Sequence, residues 1–212
     1  MSATDDPRVL IVDDHELFSM ALSTALTRSG LVSEATCVPT GTAALDLAAK
    51  EHFDLFLIDL GLEDMNGLLV LQRLLEKDPT RRVCVLSGNT ERGPMVQAVL
   101  AGACGYLAKT IDLEEFVEKV RLALEGNQVY DETSAATIIE GFSNDVPSVT
   151  LSARELEVLV LLGQGATNEQ AAASLLLSPH TIKDVVKHIF DKLGVNDRAS
   201  AVATGFRLGL LR

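Results

Sequence analysis

The stretch Phe53-Asp54-Leu55-Phe56-Leu57-Ile58-Asp59 is an apolar run that closes on an acid, and it decides how the N-terminal half is read. Three similar runs carry polar residues at the same end. Asp13 and Asp14 follow Val9-Leu10-Ile11-Val12, Ser87 follows Val83-Cys84-Val85-Leu86, and Lys109 comes shortly after Tyr106-Leu107. Short, continuously apolar segments are what strands buried on both faces require. If these runs are parallel strands, all five side chains converge at one edge of one sheet.

Helical spacings fill the gaps between the runs. Leu17, Phe18, Ala21, Leu22, Ala25 and Leu26 recur at helical spacing within residues 15–29, and a weaker strand follows at 31–38. Further helices are predicted over 42–50, 68–77, 94–101 and 113–124, the one over 68–77 stopped by Asp78-Pro79. Five strand–helix repeats in about 120 residues predict a flavodoxin-like α/β fold, a doubly wound, five-stranded parallel sheet with helices on both faces. In the strand order 2-1-3-4-5 the first and third strands adjoin at the topological switch point, where ligands collect. That order puts Asp13, Asp14 and Asp59 side by side.

Composition supports a folded chain with two modules. The 212 residues are 47% hydrophobic with only six prolines, and no apolar stretch reaches the ~18 residues of a membrane helix. The acidic start Met1-Ser2-Ala3-Thr4-Asp5-Asp6 is unlike a secretory signal, so a cytoplasmic protein with no membrane partner is expected. Three cysteines (Cys37, Cys84, Cys104) lie in or beside apolar runs and read as reduced, buried strand residues. The net charge of −12 is uneven: residues 148–212 hold seven Lys/Arg and six acids, against 11 and 24 in the remainder. Such asymmetry points to modules with different partners. We therefore expect one domain over 6–127, a linker over 128–147 with a short helix from Asp131, and a smaller all-α domain over 148–212.

The converging set suits metal-assisted phosphoryl transfer. A phosphoryl group moving onto an aspartate spreads charge over its equatorial oxygens, so positioning and cations matter most. Asp14 and Asp59 suit Mg²⁺, with Asp13 acting through a water and the Gly61 carbonyl adding an oxygen; magnesium favours such sparse oxygen sites. Ser87 and Lys109 are placed to bond phosphoryl oxygens.

At these residues the chain resembles a two-component receiver domain. Val12-Asp13-Asp14-His15, Asp59, Ser87 and Gly102-Ala103-Cys104-Gly105-Tyr106-Leu107-Ala108-Lys109 match in order and spacing. The resemblance implies that a sensor histidine kinase phosphorylates Asp59, and that Ser87 and Tyr106 move together as a switch, the Ser87 hydroxyl drawn inward and the Tyr106 ring filling the vacated space. One departure stands in the loop after Asp59: Glu63 replaces a common proline, which implies a more acidic and more mobile loop. Phosphatases of the haloacid-dehalogenase type also form an aspartyl-phosphate, but they need a second acid where this chain has Gly61. The expectation is a regulator, not an enzyme.

The C-terminal segment reads as four helices. Ser152 and Glu155 form a capping box before Leu156, Leu159, Val160 and Leu162; Asn168–Leu175 follows; Ser178 caps a helix that opens on Pro179 and ends at Gly194. That helix carries Ile182, Val185 or Val186, Ile189 and Leu193 inward, and a last helix spans about 198–208. Residues 149–211 resemble the LuxR/NarL-type helix-turn-helix domain through Leu151-Ser152-Ala153-Arg154-Glu155-Leu156, Ser178-Pro179, Thr181-Ile182-Lys183 and Ile189-Phe190-Asp191-Lys192-Leu193-Gly194. The resemblance implies binding of double-stranded DNA through Lys183 and Lys187, with Thr181 and Lys192 as weaker phosphate contacts. Glu169, Asp184 and Val185 depart from the usual basic or polar residues. With so little net charge a monomer would bind weakly, which predicts a homodimer, with the last helix as the candidate contact, on a near-palindromic operator. Before phosphorylation the acidic receiver is expected to dock on the helical module and cover Lys183 and Lys187. The alternative is an atypical regulator whose helical domain acts on a protein or binds DNA independently of phosphorylation.

Overall fold

A computed structural model describes residues 7–88, 92–132, 134–135 and 149–211. Most of the helix predicted from Asp131, and all of Ser143–Ser148, lie outside the described residues. The N-terminal module runs β1 (Arg8–Val12), α1 (Glu16–Arg28), β2 (Glu34–Val38), α2 (Gly41–Ala48), β3 (Leu55–Asp59), α3 (Gly67–Lys77), β4 (Val83–Ser87), α4 (Arg92–Leu100), β5 (Gly105–Ala108), α5 (Leu113–Leu124) and β6 (Val129–Tyr130). All pairings are parallel, in the order β2-β1-β3-β4-β5-β6.

The five-stranded expectation therefore gains a sixth strand. β6 is too short to show any periodicity in sequence. It lies against β5 because Gly105 has no side chain: a Cβ there would sit 2.4 Å from Val129 Cγ2 and 2.5 Å from Val129 O. The central strands β3 and β4 are buried at every position. Alternate residues feed two cores, Val9, Ile11, Leu55 and Leu57 facing α1 and α5, and Leu10, Phe56, Ile58 and Val85 facing α3 and α4. Cys84 is buried and Cys104 half-buried, but Cys37 is exposed, because β2 is an edge strand.

The helical module comprises α6 (Ala153–Gly163), α7 (Asn168–Leu175), α8 (Pro179–Leu193) and α9 (Arg198–Arg207). The predicted capping box at Ser152 and Glu155 is present, and Thr167 and Gln170 form a second one on α7. Ile182, Ile189 and Leu193 are buried, while Val185 and Val186 are both half-buried.

The two modules pack together along α3 and α6. Gln72 Nε2 donates to Leu151 O at 2.8 Å, Asn66 Nδ2 donates to Leu210 O at 3.3 Å, and Arg73 pairs with Glu157. The tail residues Leu208, Leu210 and Leu211 are buried and join a core continuous with the α3–α4 side of the sheet. A charge reversal should loosen this contact. Arg73→Glu would oppose a like charge to Glu157, whose side chain is only 12% exposed. Allowing for solvent around residue 73, we expect roughly a tenfold shift towards separated modules, about 1.4 kcal/mol. Small-angle scattering should then show a larger radius of gyration, and an unchanged radius would refute the contact's importance.

Candidate phosphoryl site and DNA-binding surface

Strand register builds the first site. Val12 pairs with Ile58, Asp59 with Leu86, and Ser87 with Ala108, so the residues at these strand ends share one edge. Asp13, Asp59 and Ser87 are buried, at 2%, 4% and 2% exposure, whereas Asp14 is half-buried. Lys109 joins them: its Nζ lies 2.8 Å from Asp13 Oδ2 and 3.0 Å from Asp59 Oδ2. The lysine is steered by its surroundings. Its N–H donates to Ser87 O at 2.8 Å, and its ammonium stands 5.3 Å from the Phe18 ring centre.

Asp13, Asp14, His15 and Asp59 each offer a ligand atom within 4.8 Å of the others. Asp13 Oδ2 and Asp14 Oδ1 are buried and, among the described residues, accept no hydrogen bond. Lys109 Nζ lies 2.8 Å from the first and His15 Nδ1 2.7 Å from the second, neither in hydrogen-bonding geometry. Buried carboxylate oxygens with unused lone pairs and a hard-oxygen donor set fit a divalent cation.

The loop after β3 is tied down. Asp64 accepts from the N–H groups of Gly41 and Thr42, both at 2.9 Å, and from the Thr42 hydroxyl at 2.8 Å. Burial alone would raise the Asp64 pKa, but these bonds outweigh it and hold the carboxyl below its ordinary value. Glu63 is exposed beside this anchor, so the loop is acidic as expected yet fixed at its next residue. Gly61 lies in the same loop, half-buried.

Tyr106, expected to act with Ser87 as the switch, is fully buried in the core between the sheet and α3–α4. Asp131, unassigned from sequence, is buried and accepts from Ala108 N at 2.7 Å and from the Ser134 hydroxyl at 2.7 Å. It clamps the end of β5 next to Lys109. The only local signal was its place at the start of a predicted helix, since the partner lies 23 residues away. His15 was also missed as a member of the acidic group, because nothing but its position after Asp14 marks it.

On the helical module Lys183, Lys187 and Thr181 are exposed. Among the described residues they are not covered by the N-terminal module, which docks through α3 against α6 and the tail instead. That arrangement follows from the buried leucines of the tail and the Arg73–Glu157 pair, and it replaces the expected covering of the lysines. The Thr181 N–H is already used, donating to Ser178 Oγ at 3.0 Å. Lys192 is likewise engaged: its Nζ donates to Glu155 Oε2 at 2.6 Å and Thr150 O at 3.2 Å. It braces α8 against the start of α6 and is not a free phosphate ligand.

Glu155 consequently has two roles, closing the capping box and holding Lys192. Its pKa is pushed up by burial but pulled further down by the Lys192 ammonium and the Ser152 N–H, so it lies below the ordinary value. A depressed carboxylate stabilises the fold above its unfolded pKa, about 4.3, and that contribution is lost as pH falls through the folded value. Glu155→Gln should therefore lower the melting temperature at pH 7 and flatten its decline in the acid range. Parallel melting curves with pH for the two proteins would contradict this role.

Comparison with known proteins follows the same division. The response regulator receiver domain matches residues 9–121, and the luxR family of bacterial regulatory proteins matches residues 149–204. The chain belongs to the response regulators with a LuxR-type output domain. This response regulator is 33% identical over 210 residues to the probable transcriptional regulatory protein NarL of Mycobacterium tuberculosis, covering 96% of this chain and 95% of that one. It is 33% identical over 201 residues to the nitrate/nitrite response regulator protein NarP of Escherichia coli strain K12, covering 92% of each. Among solved structures, the response regulator ChrA of a heme-sensing two-component system aligns with a TM-score of 0.51 at 27% identity, over 97% of this chain and 99% of that one. RcsB of Salmonella enterica serovar Typhimurium, bound to promoter DNA, gives 0.64 at 21% identity over 94% and 98%, which supports the fold alone. The response regulator is thus a phosphorylation-dependent transcriptional regulator. Among its described residues no helix is long and apolar enough to cross a membrane.

Proposed function

We propose that Asp59 takes a phosphoryl group from a sensor histidine kinase, and that the modified protein binds double-stranded DNA as a homodimer on a near-palindromic operator in the cytoplasm. The observation that carries this reading is Lys109 bridging Asp13 and Asp59 at 2.8 and 3.0 Å. Asp13, Asp14, Asp59 and the Gly61 carbonyl would hold Mg²⁺, which when bound supplies positive charge to the phosphoryl oxygens. In the transfer, a carboxylate oxygen of Asp59 forms a P–O bond as the P–N bond to the kinase imidazole breaks. Lys109 then turns from the carboxylates towards a phosphoryl oxygen, and Ser87 donates to another, so cations and donors are preorganised where charge develops. Tyr106 completes the switch from its buried position.

Lys183 and Lys187 are the DNA contacts, with the Thr181 hydroxyl as a lesser one. We assign residues 6–127 to the receiver, 128–147 to the connection, although β6 carries the sheet to Tyr130, and 148–212 to DNA binding. Incubation with phosphoramidate should add one phosphoryl group on the peptide containing Asp59, block on chelation, and raise operator affinity. Unchanged affinity in the modified protein would overturn the reading.

One observation favours a second reading: Glu169 and Asp184 are exposed on a module with a formal charge of only +1. A module acting on a protein partner would show almost no salt dependence with DNA. Contacts to several phosphates instead predict log affinity falling linearly with log salt, at a slope of about −0.9 per phosphate.

A further inference from the structure

The outward face of α8 contains an acid with no structural task. Ile182, Ile189 and Leu193 define the buried stripe of this helix. At about 100° per residue, Asp184 lies about 200° round from Ile182 and Lys187 about 140°, so both sit in the middle of the opposite face, with Lys183 on its flank. The Asp184 side chain is 60% exposed, and the one ion contact described for it is to His180 Nδ1 at 3.3 Å. A surface pair of that kind, with the histidine 84% exposed, contributes little to stability. Asp184 is thus available to a ligand near the middle of the face opposite the buried stripe.

On the reading that α8 is the DNA-contacting helix, on which the present inference rests, a carboxylate at this place must meet something other than phosphate. An ionised carboxylate only accepts hydrogen bonds. In the major groove guanine presents two acceptors, and thymine an acceptor and a methyl group. Adenine presents a donor, but beside the N7 acceptor, which would repel the second carboxylate oxygen. Cytosine N4 has an acceptor, the O6 of its paired guanine, on one side only, whereas adenine N6 lies between its own N7 and the O4 of thymine. Lys183 and Lys187 flank the acid and complement it, since their ammonium groups suit the O6 and N7 acceptors of guanine. We infer that Asp184 is a specificity-determining residue that selects a cytosine at one fixed position in each operator half-site, beside guanines contacted by Lys183 and Lys187.

Selection from a randomised DNA pool tests this, using full-length protein treated with phosphoramidate: wild type, Asp184→Ala and Asp184→Asn. The wild type should enrich one fixed cytosine per half-site, and exchanging that C–G pair for T–A should weaken its binding by about tenfold or more. The same exchange should change binding by Asp184→Ala by less than about twofold. Asp184→Asn should move the preference from cytosine to adenine, because an amide pairs with adenine N6 and N7. If all three proteins enrich the same base there, Asp184 does not read it. If the wild type enriches no sequence at all, the DNA-contacting assignment of α8 falls and the inference falls with it, so the two failures are distinct.

Discussion

Replacing Lys109 by alanine should slow phosphoryl uptake by Asp59 about 10²–10³-fold, the usual cost of removing one preorganised donor from a site where charge develops. The Nζ atom is the cation nearest to both buried carboxylates, and its side chain is itself only 15% exposed. Its loss should also destabilise the unmodified protein, because Asp13 and Asp59 would be left facing each other without a counterion. Breaking a buried pair costs about 3–5 kcal/mol, and solvent reaching Asp14 places this case towards the lower end. Magnesium should then stabilise Lys109→Ala more than it stabilises the wild type, because a ligand that binds only the folded state adds stability by mass action. Uptake rates from phosphoramidate and melting temperatures with and without Mg²⁺ measure the two effects. A rate close to wild type, or a melting temperature indifferent to both the substitution and the metal, would remove Lys109 from the site.

Residues at the ends of buried strands were legible in sequence because local pattern and global register agree there. Each apolar run announces a strand, and parallel pairing with aligned register brings the polar ends together without further information. The capping residues Ser152 and Ser178 were legible for a similar reason, since a cap is decided within four residues. What failed to show depends on distant partners. Lys192 looks like any exposed helix lysine until α6 brings Glu155 beneath it, 37 residues away in sequence. Asp131 became a clamp only through Ala108, and β6 exists only because Gly105 leaves room for Val129. The docking face of the receiver was invisible for the same reason. Charge asymmetry suggested that an acidic module would seek the lysines of a more basic one, but buried leucines of the tail and one ion pair decide the contact.

Gly67 links the fold to the site, and Gly67→Ala should be the most disruptive single-methyl substitution near Asp59. The glycine opens α3 directly over the end of β3, its N–H donating to Leu60 O at 3.1 Å. A Cβ at this position would lie 2.0 Å from the Asp59 carbonyl oxygen and 2.8 Å from Leu60 Cα. Both are backbone atoms, of the last residue of β3 and of the buried residue after it, so no flexible side chain can give way. Either α3 lifts from the sheet or the end of β3 is pushed aside. Lifting α3 would disturb Asn66 and Gln72, which hold the output module, while moving β3 would displace Asp59 from Lys109. Overpacking of this kind costs typically about 1–3 kcal/mol, and rigid neighbours put Gly67→Ala at or above the upper end. Gly88→Ala supplies the control, because, its chain neighbours aside, none of the described residues places an atom within 4 Å of its added carbon. Urea unfolding should show a clearly lower midpoint for Gly67→Ala and almost none of that loss for Gly88→Ala. Phosphoryl uptake should fall in the first variant even under conditions where it is fully folded. Equal midpoints would mean that the start of α3 yields easily, and that the distance between Asp59 and Lys109 is set by something other than this glycine.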